Sequence, residues 1–366
     1  MLKEILEKRG YPDLLKLNDG TPVTTLNYNK KREELLLLLE KHHYGKTPRI
    51  PVRVWGETRS KNDNFYAGKV YRERVEISFE TQRGVFSFPI EIFIPKRCEK
   101  PPVFLHLAFR GVPDRYIPVE EITDNGYALV VLVYTDVVND KLSGNFSDGL
   151  AVYFGTDNNR GEEEWGKIGM WAYAASRVMD YVVQEREDID TERVAVIGHS
   201  RLGKTAIWCG AQDERFAAVI SNDSGYGGAA SSKYSEGEKI EDFMFHGSWD
   251  WFSENFKKYG GELENNKPYD QSQALALIAP RLLCVGSAIY DYGADPKSEF
   301  LTALHASGMW KALGKDGLIC EDRLPVIGDH FCEGNISYHM RDNGHFLSRE
   351  DWNAYIKFLN KKFKGE

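Results

Sequence analysis

Residues 193–210 read RVAVIGHSRLGKTAIWCG, and the fold turns on how this stretch is parsed. Val194, Ala195, Val196 and Ile197 form an apolar run that Gly198 breaks. Ser200 then stands in a Gly-His-Ser-Arg-Leu-Gly turn, and helical spacing begins at once. A strand ending in a glycine-flanked serine and opening directly into a helix has the layout of a nucleophile elbow. Such a turn exposes the hydroxyl above a sheet, and the N–H groups that follow it can meet a developing oxyanion. A serine in the same place can also act only as a helix N-cap. The stretch admits both readings, and the rest of the chain separates them.

On either side of the elbow the pattern alternates between strand and helix. Upstream, Pro101-Pro102 introduces the apolar run VFLHLAF at 103–109, and YALVVLVY at 127–134 is too continuously apolar for a half-exposed strand. A polar, Gly/Asn-rich loop fills 135–165. GKIGMWAYAASRVMDYVVQER then places Ile168, Trp171, Ala172, Ala175, Val178, Met179 and Val182 at helical spacing. Downstream lie FAAVIS (216–221), an aromatic and Gly-containing insertion at about 226–268, a helix at 271–279 and a strand at 281–287. A helix at 297–313, a strand at 336–340, the loop RDNGHFLS and a closing helix complete the series. Before residue 100, an N-terminal arm and a Leu-rich helix at 30–43 precede strands at 51–56, 68–80 and 84–95. The last two read as an antiparallel hairpin across Thr81-Gln82-Arg83-Gly84. The expectation is one α/β-hydrolase domain over 1–366: a mostly parallel sheet with helices on both faces, a three-layer sandwich.

Composition narrows the function. With 366 residues, 42% of them hydrophobic, the chain can bury a large core, and its net charge of −8 argues against nucleic acid as a partner. MLKEILEKRGYPDLL has no continuous apolar segment, so it does not read as a signal peptide, and no run of 18 apolar residues suggests a membrane span. Five widely spaced cysteines contain no CxxC pair and point to reduced thiols and a cytoplasmic setting.

A serine nucleophile needs a base, and the base needs an acid to orient it. In α/β-hydrolases the chain order is Ser, acid, His. His345, in Asp-Asn-Gly-His between the last strand and the final helix, stands where such a fold delivers its imidazole. His246 and His330 are weaker options, and His305 lies in a helical pattern that suits packing. Asp291, after strand 281–287, ranks first as the acid, and Asp223, after 216–221, stands close behind it. Asp295, in Ala-Asp-Pro, reads as a helix start. Arg201 is electrostatically misplaced at the positive end of a helix unless it meets an anion or an oxyanion. Lys204 lies one turn on. Trp249, Trp251, Phe252 and Tyr259 in the insertion could form a stacking wall for a sugar, the alternative being a place in the core.

GHSRLGKTA (198–206), AQDERFAAVISNDSGYGGAA (211–230), IAPRLLCVGSAIYDYGADP (278–296) and the terminal His loop together resemble the glucuronoyl esterases and their bacterial relatives, often labelled acetylxylan esterases. The resemblance spans roughly residues 100–360. It implies that Ser200 is the nucleophile, that Arg201 supports the oxyanion, and that Lys204 and a glutamate in the insertion, best matched by Glu238, bind sugar hydroxyls. The family's acid after the sixth strand maps to Asp223. In three places the chain departs from the pattern. His199 stands where many members carry a disulfide cysteine, Ser272 where a histidine often follows, and Tyr292-Gly293 where a substrate-contacting tryptophan is common. The expected protein is a serine esterase of small plant-derived carbohydrate esters that needs no metal or organic cofactor. Glucuronate is the first choice of acyl group and acetate the second. A catalytically weak carbohydrate-binding relative is the competing reading.

Overall fold

The computed structural model describes residues 1–49, 52–140 and 146–365. Its centre is a sheet of ten strands: β1 (Val54–Phe65), β2 (Val70–Thr81), β3 (Gly84–Pro95), β4 (Val103–Ala108), β5 (Ala128–Val133), β6 (Val194–His199), β7 (Ala218–Asn222), β8 (Leu282–Ala288), β9 (His330–Phe331) and β10 (Ile336–Arg341). They lie in the order β1-β2-β3-β5-β4-β6-β7-β8-β10-β9. The six strands from β5 to β10 are parallel, flanked by the antiparallel β1–β3 set on one edge and by β9 on the other.

The central strands are apolar on both faces because both faces are covered. Along β4, Val103, Leu105 and Leu107 enter one core while Phe104 and Ala108 enter another; in β6, Val194 and Val196 part from Ala195 and Ile197 in the same way. The helices are α1 (Leu2–Arg9), α2 (Tyr28–Leu39), α3 (Val119–Asp124), α4 (Gly149–Phe154), α5 (Lys167–Glu185), α6 (Arg201–Gln212), α7 (Ile240–Phe245), α8 (Gln271–Ala276), α9 (Pro296–Ala312) and α10 (Arg349–Leu359). The larger core takes residues from α2, α5, α6, α8 and α9, the smaller one from α3 and α10. Helix, sheet and helix thus form three layers in the α/β-hydrolase arrangement.

Several element boundaries differ from expectation. The strand expected at 51–56 is β1, which runs on through Glu57-Thr58-Arg59-Ser60-Lys61-Asn62-Asp63; residue 51 lies outside the described residues. Exposed on both faces, this stretch carries no alternation to read. The polar loop at 135–165 contains α4, and its residues 141–145 lie outside the described ones. Between β7 and α8 the chain forms α7 and a series of 3₁₀ turns. Tyr226, Phe243, Trp251, Phe252 and Phe256 in this segment are buried.

Residues 1–44 are fastened across the larger core. The Arg9 guanidinium donates to Ser298 Oγ at 2.6 Å, and Arg32 donates to the carbonyls of Leu277 and Ala211, each at 2.6 Å. Tyr44 stacks on Trp208 at 4.2 Å and donates to the Gly227 carbonyl at 2.8 Å.

Candidate active site

Ser200 joins β6 to α6 with φ 59° and ψ −129°, a left-handed conformation that costs a non-glycine residue roughly 1–3 kcal/mol. It occupies the N-cap position, yet its side chain caps nothing; Oγ faces the His345 imidazole instead. That observation separates the two readings of the serine. The turn depends on close backbone approach. A Cβ on Gly198 would lie 2.0 Å from the Leu202 carbonyl oxygen, and one on Gly203 would lie 2.9 Å from Ser224 Cβ. The residue two after the serine is Leu202, and Gly203 supplies the close packing.

His345 Nε2 lies 2.9 Å from Ser200 Oγ, and His345 Nδ1 lies 2.6 Å from Asp291 Oδ2. Because a carboxylate accepts, Nδ1 carries the hydrogen and Nε2 presents a lone pair to the hydroxyl. Asp291 sits on the β8–α9 loop, which is laced to the histidine loop: Ile289 N–H donates to the Arg341 carbonyl and Tyr290 N–H to that of Asn343. None of the other histidines considered reaches Ser200. His305 stacks on Tyr11, His330 contacts Ser337, and His246 follows α7 at the surface.

Asp223 stands behind the imidazole and makes no hydrogen bond to it. Its Oδ1 accepts from Ala288 N–H and its Oδ2 from Arg341 Nη2, both at 2.8 Å. Burial pushes this carboxyl well above the usual range and Arg341 pulls it back. With each oxygen receiving an N–H, the geometry holds the carboxylate. Of the two candidate acids, Asp291, ranked first, makes the contact with the imidazole, and Asp223, ranked close behind it, is taken up by Ala288 N–H and Arg341. Arg341 also grips Asp351 through Nε and the Phe346 carbonyl through Nη2, so it ties the histidine loop to the end of β7 and to α10. Asp223, Asp291 and His345 offer atoms within 4.8 Å of one another, but the hydrogen bonds just described engage each of them.

Arg201 opens α6 beside the nucleophile. Its Nη1 is paired with Asp140 Oδ2, and its guanidinium lies 4.6 Å from the centre of the Trp251 ring. Lys204 is buried, donating to the Ser224 carbonyl at 2.5 Å and to Glu238 Oε2 at 3.1 Å. Glu238 is half-exposed, and its N–H donates to the Gly293 carbonyl on the Asp291 loop. Lys204 lies one turn after Ser200 on α6 and Glu238 is tied to the loop that carries Asp291, so the Lys204–Glu238 pair adjoins the triad.

The aromatic wall is not there as expected. Trp251 is only 7% exposed and Phe252 is fully buried. Lys257 covers Trp249, and Tyr259 hydrogen-bonds His42 Nδ1 at 2.6 Å. These rings pack the insertion instead. Trp251 reaches the site by its edge: Nε1 donates to Asp140 Oδ1 at 2.7 Å. His199 is buried against His345 with ring centres 4.5 Å apart, and burial holds its pKa down to about 3, so it is a neutral ring there. The five cysteines are free thiols. Ser272 gives its N–H to the Asp270 cap of α8, Tyr292 is exposed on the loop that carries Asp291, and Asp295 caps α9 as expected. Asp140 and Arg341 escaped the sequence reading. Asp140 lies in an aperiodic loop, 61 residues from its partner, and no local signal marks such a contact.

A family model described as fungal glucuronyl esterase matches residues 77–314. A carbohydrate esterase from an unknown prokaryotic organism is 33% identical, over 98% of this chain and 90% of that protein. A 4-O-methyl-glucuronoyl methylesterase of Phanerochaete carnosa is 26% identical over 83% of this chain and 72% of its own. Among solved structures, a glucuronoyl esterase from Solibacter usitatus superposes with a TM-score of 0.85 at 33% identity, covering 96% of this chain and 97% of that one. A promiscuous esterase from a marine bacterial metagenome gives 0.85 at 32%, covering 96% of each chain.

Proposed function

The chain belongs to the glucuronoyl esterase family, and on that premise we propose that it cleaves carbohydrate esters of 4-O-methyl-glucuronate through Ser200. His345 Nε2 takes the hydroxyl proton as Oγ adds to the ester carbonyl, and Asp291 stabilises the imidazolium that forms. The Arg201 guanidinium and the first N–H groups of α6 meet the oxyanion. As the tetrahedral intermediate collapses, His345 returns the proton to the departing alcohol. Water then attacks the acyl-enzyme with His345 again as base, releasing the acid and regenerating Ser200. Lys204 and Glu238 bind the hydroxyls of the acyl sugar. The observation that carries the proposal is the hydrogen-bonded line Ser200–His345–Asp291, with Lys204 one turn on along α6 and paired to Glu238.

An acetyl ester is the second reading. It draws on Trp251, whose indole N–H is already given to Asp140, and on the solvent-exposed Tyr292, which leave fewer groups to hold a large acyl sugar. Free thiols, three of them buried, favour work in the cytoplasm on short, imported oligosaccharide esters.

Benzyl glucuronate and 4-nitrophenyl acetate, assayed side by side, test the reaction. Ser200→Ala should lower both activities by about 10⁴-fold or more; activity within tenfold of the parent would overturn the assignment. Glu238→Gln should raise KM for the glucuronate about tenfold and leave the acetate unchanged. Equal effects on both would favour the acetyl reading.

A further inference from the structure

We infer that Asp140 is the positioning residue of the oxyanion site, fastening the Arg201 guanidinium and the Trp251 indole into one rigid unit. The inference rests on the reading of Arg201 as the oxyanion's cation. An arginine on the first residue of a helix is repelled by the helix dipole, and its long side chain carries about 2 kcal/mol of rotamer entropy. Left free, it would swing into solvent, and ordering it would cost the reaction each time. Asp140 meets both difficulties. Its side chain is 5% exposed, and Oδ2 takes Arg201 Nη1 with the Tyr134 hydroxyl 3.4 Å away. Oδ1 takes Trp251 Nε1 at 2.7 Å. The guanidinium then lies over the Trp251 ring and 5.8 Å from the centre of Phe109. An ion pair through one nitrogen and stacking on one face fix both the position and the plane of the group.

A third of the Arg201 side chain remains exposed, so it stays accessible beside the nucleophile it follows in the chain. Its direction is set before any ester arrives, which is what electrostatic preorganisation requires. The same geometry removes the indole N–H from substrate recognition: Trp251 acts as a support for Arg201, and the sugar's hydroxyls fall to Lys204 and Glu238.

Asp140→Asn keeps the shape and removes the charge. It should lower kcat about tenfold on both benzyl glucuronate and 4-nitrophenyl acetate, with KM within twofold, because the oxyanion is common to all esters. In an Arg201→Gln background the same change should cost less than twofold further, since the two residues act as a unit. Asp140→Glu should restore part of kcat. The rate of Ser200 labelling by a fluorophosphonate, which also develops charge on oxygen, should fall in parallel. A kcat and labelling rate within twofold of the parent, or losses that simply multiply in the double variant, would overturn the inference. A parent protein that hydrolyses neither ester and is not labelled would instead refute the esterase reading itself.

Discussion

Two carboxylates stand within reach of one imidazole, and their surroundings assign them different work. Asp291 touches His345 and little else, whereas Asp223 is buried between Arg341 and the Ala288 N–H. Asp291→Asn should therefore lower kcat by about 10³–10⁴-fold, by favouring the wrong imidazole tautomer, and leave the urea midpoint nearly unchanged. Asp223→Asn should do the reverse. It removes one of the two buried carboxylates that Arg341 holds and should cost about 1–3 kcal/mol in urea denaturation. A stable, inactive Asp223→Asn would reverse the two assignments. Gly198 sets a harder limit, because any Cβ there meets the Leu202 carbonyl at 2.0 Å. Gly198→Ala should abolish fluorophosphonate labelling by dismantling the turn while Ser200 itself is still present.

The loop between β10 and α10 carries His345, and one arginine holds it. Arg341 bonds Asp351 inside the α10 capping box, Asp223 on β7's exit, and the Phe346 carbonyl next to the histidine. A lysine keeps the charge but cannot reach three acceptors in a plane. Arg341→Lys should lower kcat about tenfold in the ester assay and speed amide exchange through 342–348, as read by mass spectrometry. Elements of this kind were unequally legible in the chain. β6 and the turn into α6 stand out because buried strands are continuously apolar and the glycines are sterically required. His345 is visible by its place after the last long strand. The far half of β1, β9 and the Asp140 contact are not, since a solvated edge, a two-residue pairing and a bond across 61 residues leave no local period. The aromatic insertion misleads for another reason: a sequence gives ring content, and only packing decides whether a ring lines a cleft or fills a core.

Across the whole molecule, buried neutral histidines set the response to acid. Burial lowers His43 well below its usual value, His106 to about 4 and His199 to about 3, from 6.5 in the unfolded chain. Their contribution is present above pH 6.5 and is lost as pH falls toward the folded values, because the unfolded chain then takes up protons that the fold refuses. For His106 this amounts to about 2 kcal/mol between pH 7.5 and pH 5. His106→Phe, which keeps a ring beside Trp352, should narrow the stability difference between those two pH values by that amount in urea titrations. A second consequence follows from the ties between residues 1–44 and the far end of the fold. Arg9 meets Ser298, 289 residues later. At a synthesis rate of 5–20 residues per second, α1 waits roughly 15–60 s for the segment it docks on. Turns made early are thus seated late. During that interval the nascent chain exposes the Leu-rich face of α2, and this window, more than the finished structure, is where a chaperone would find it.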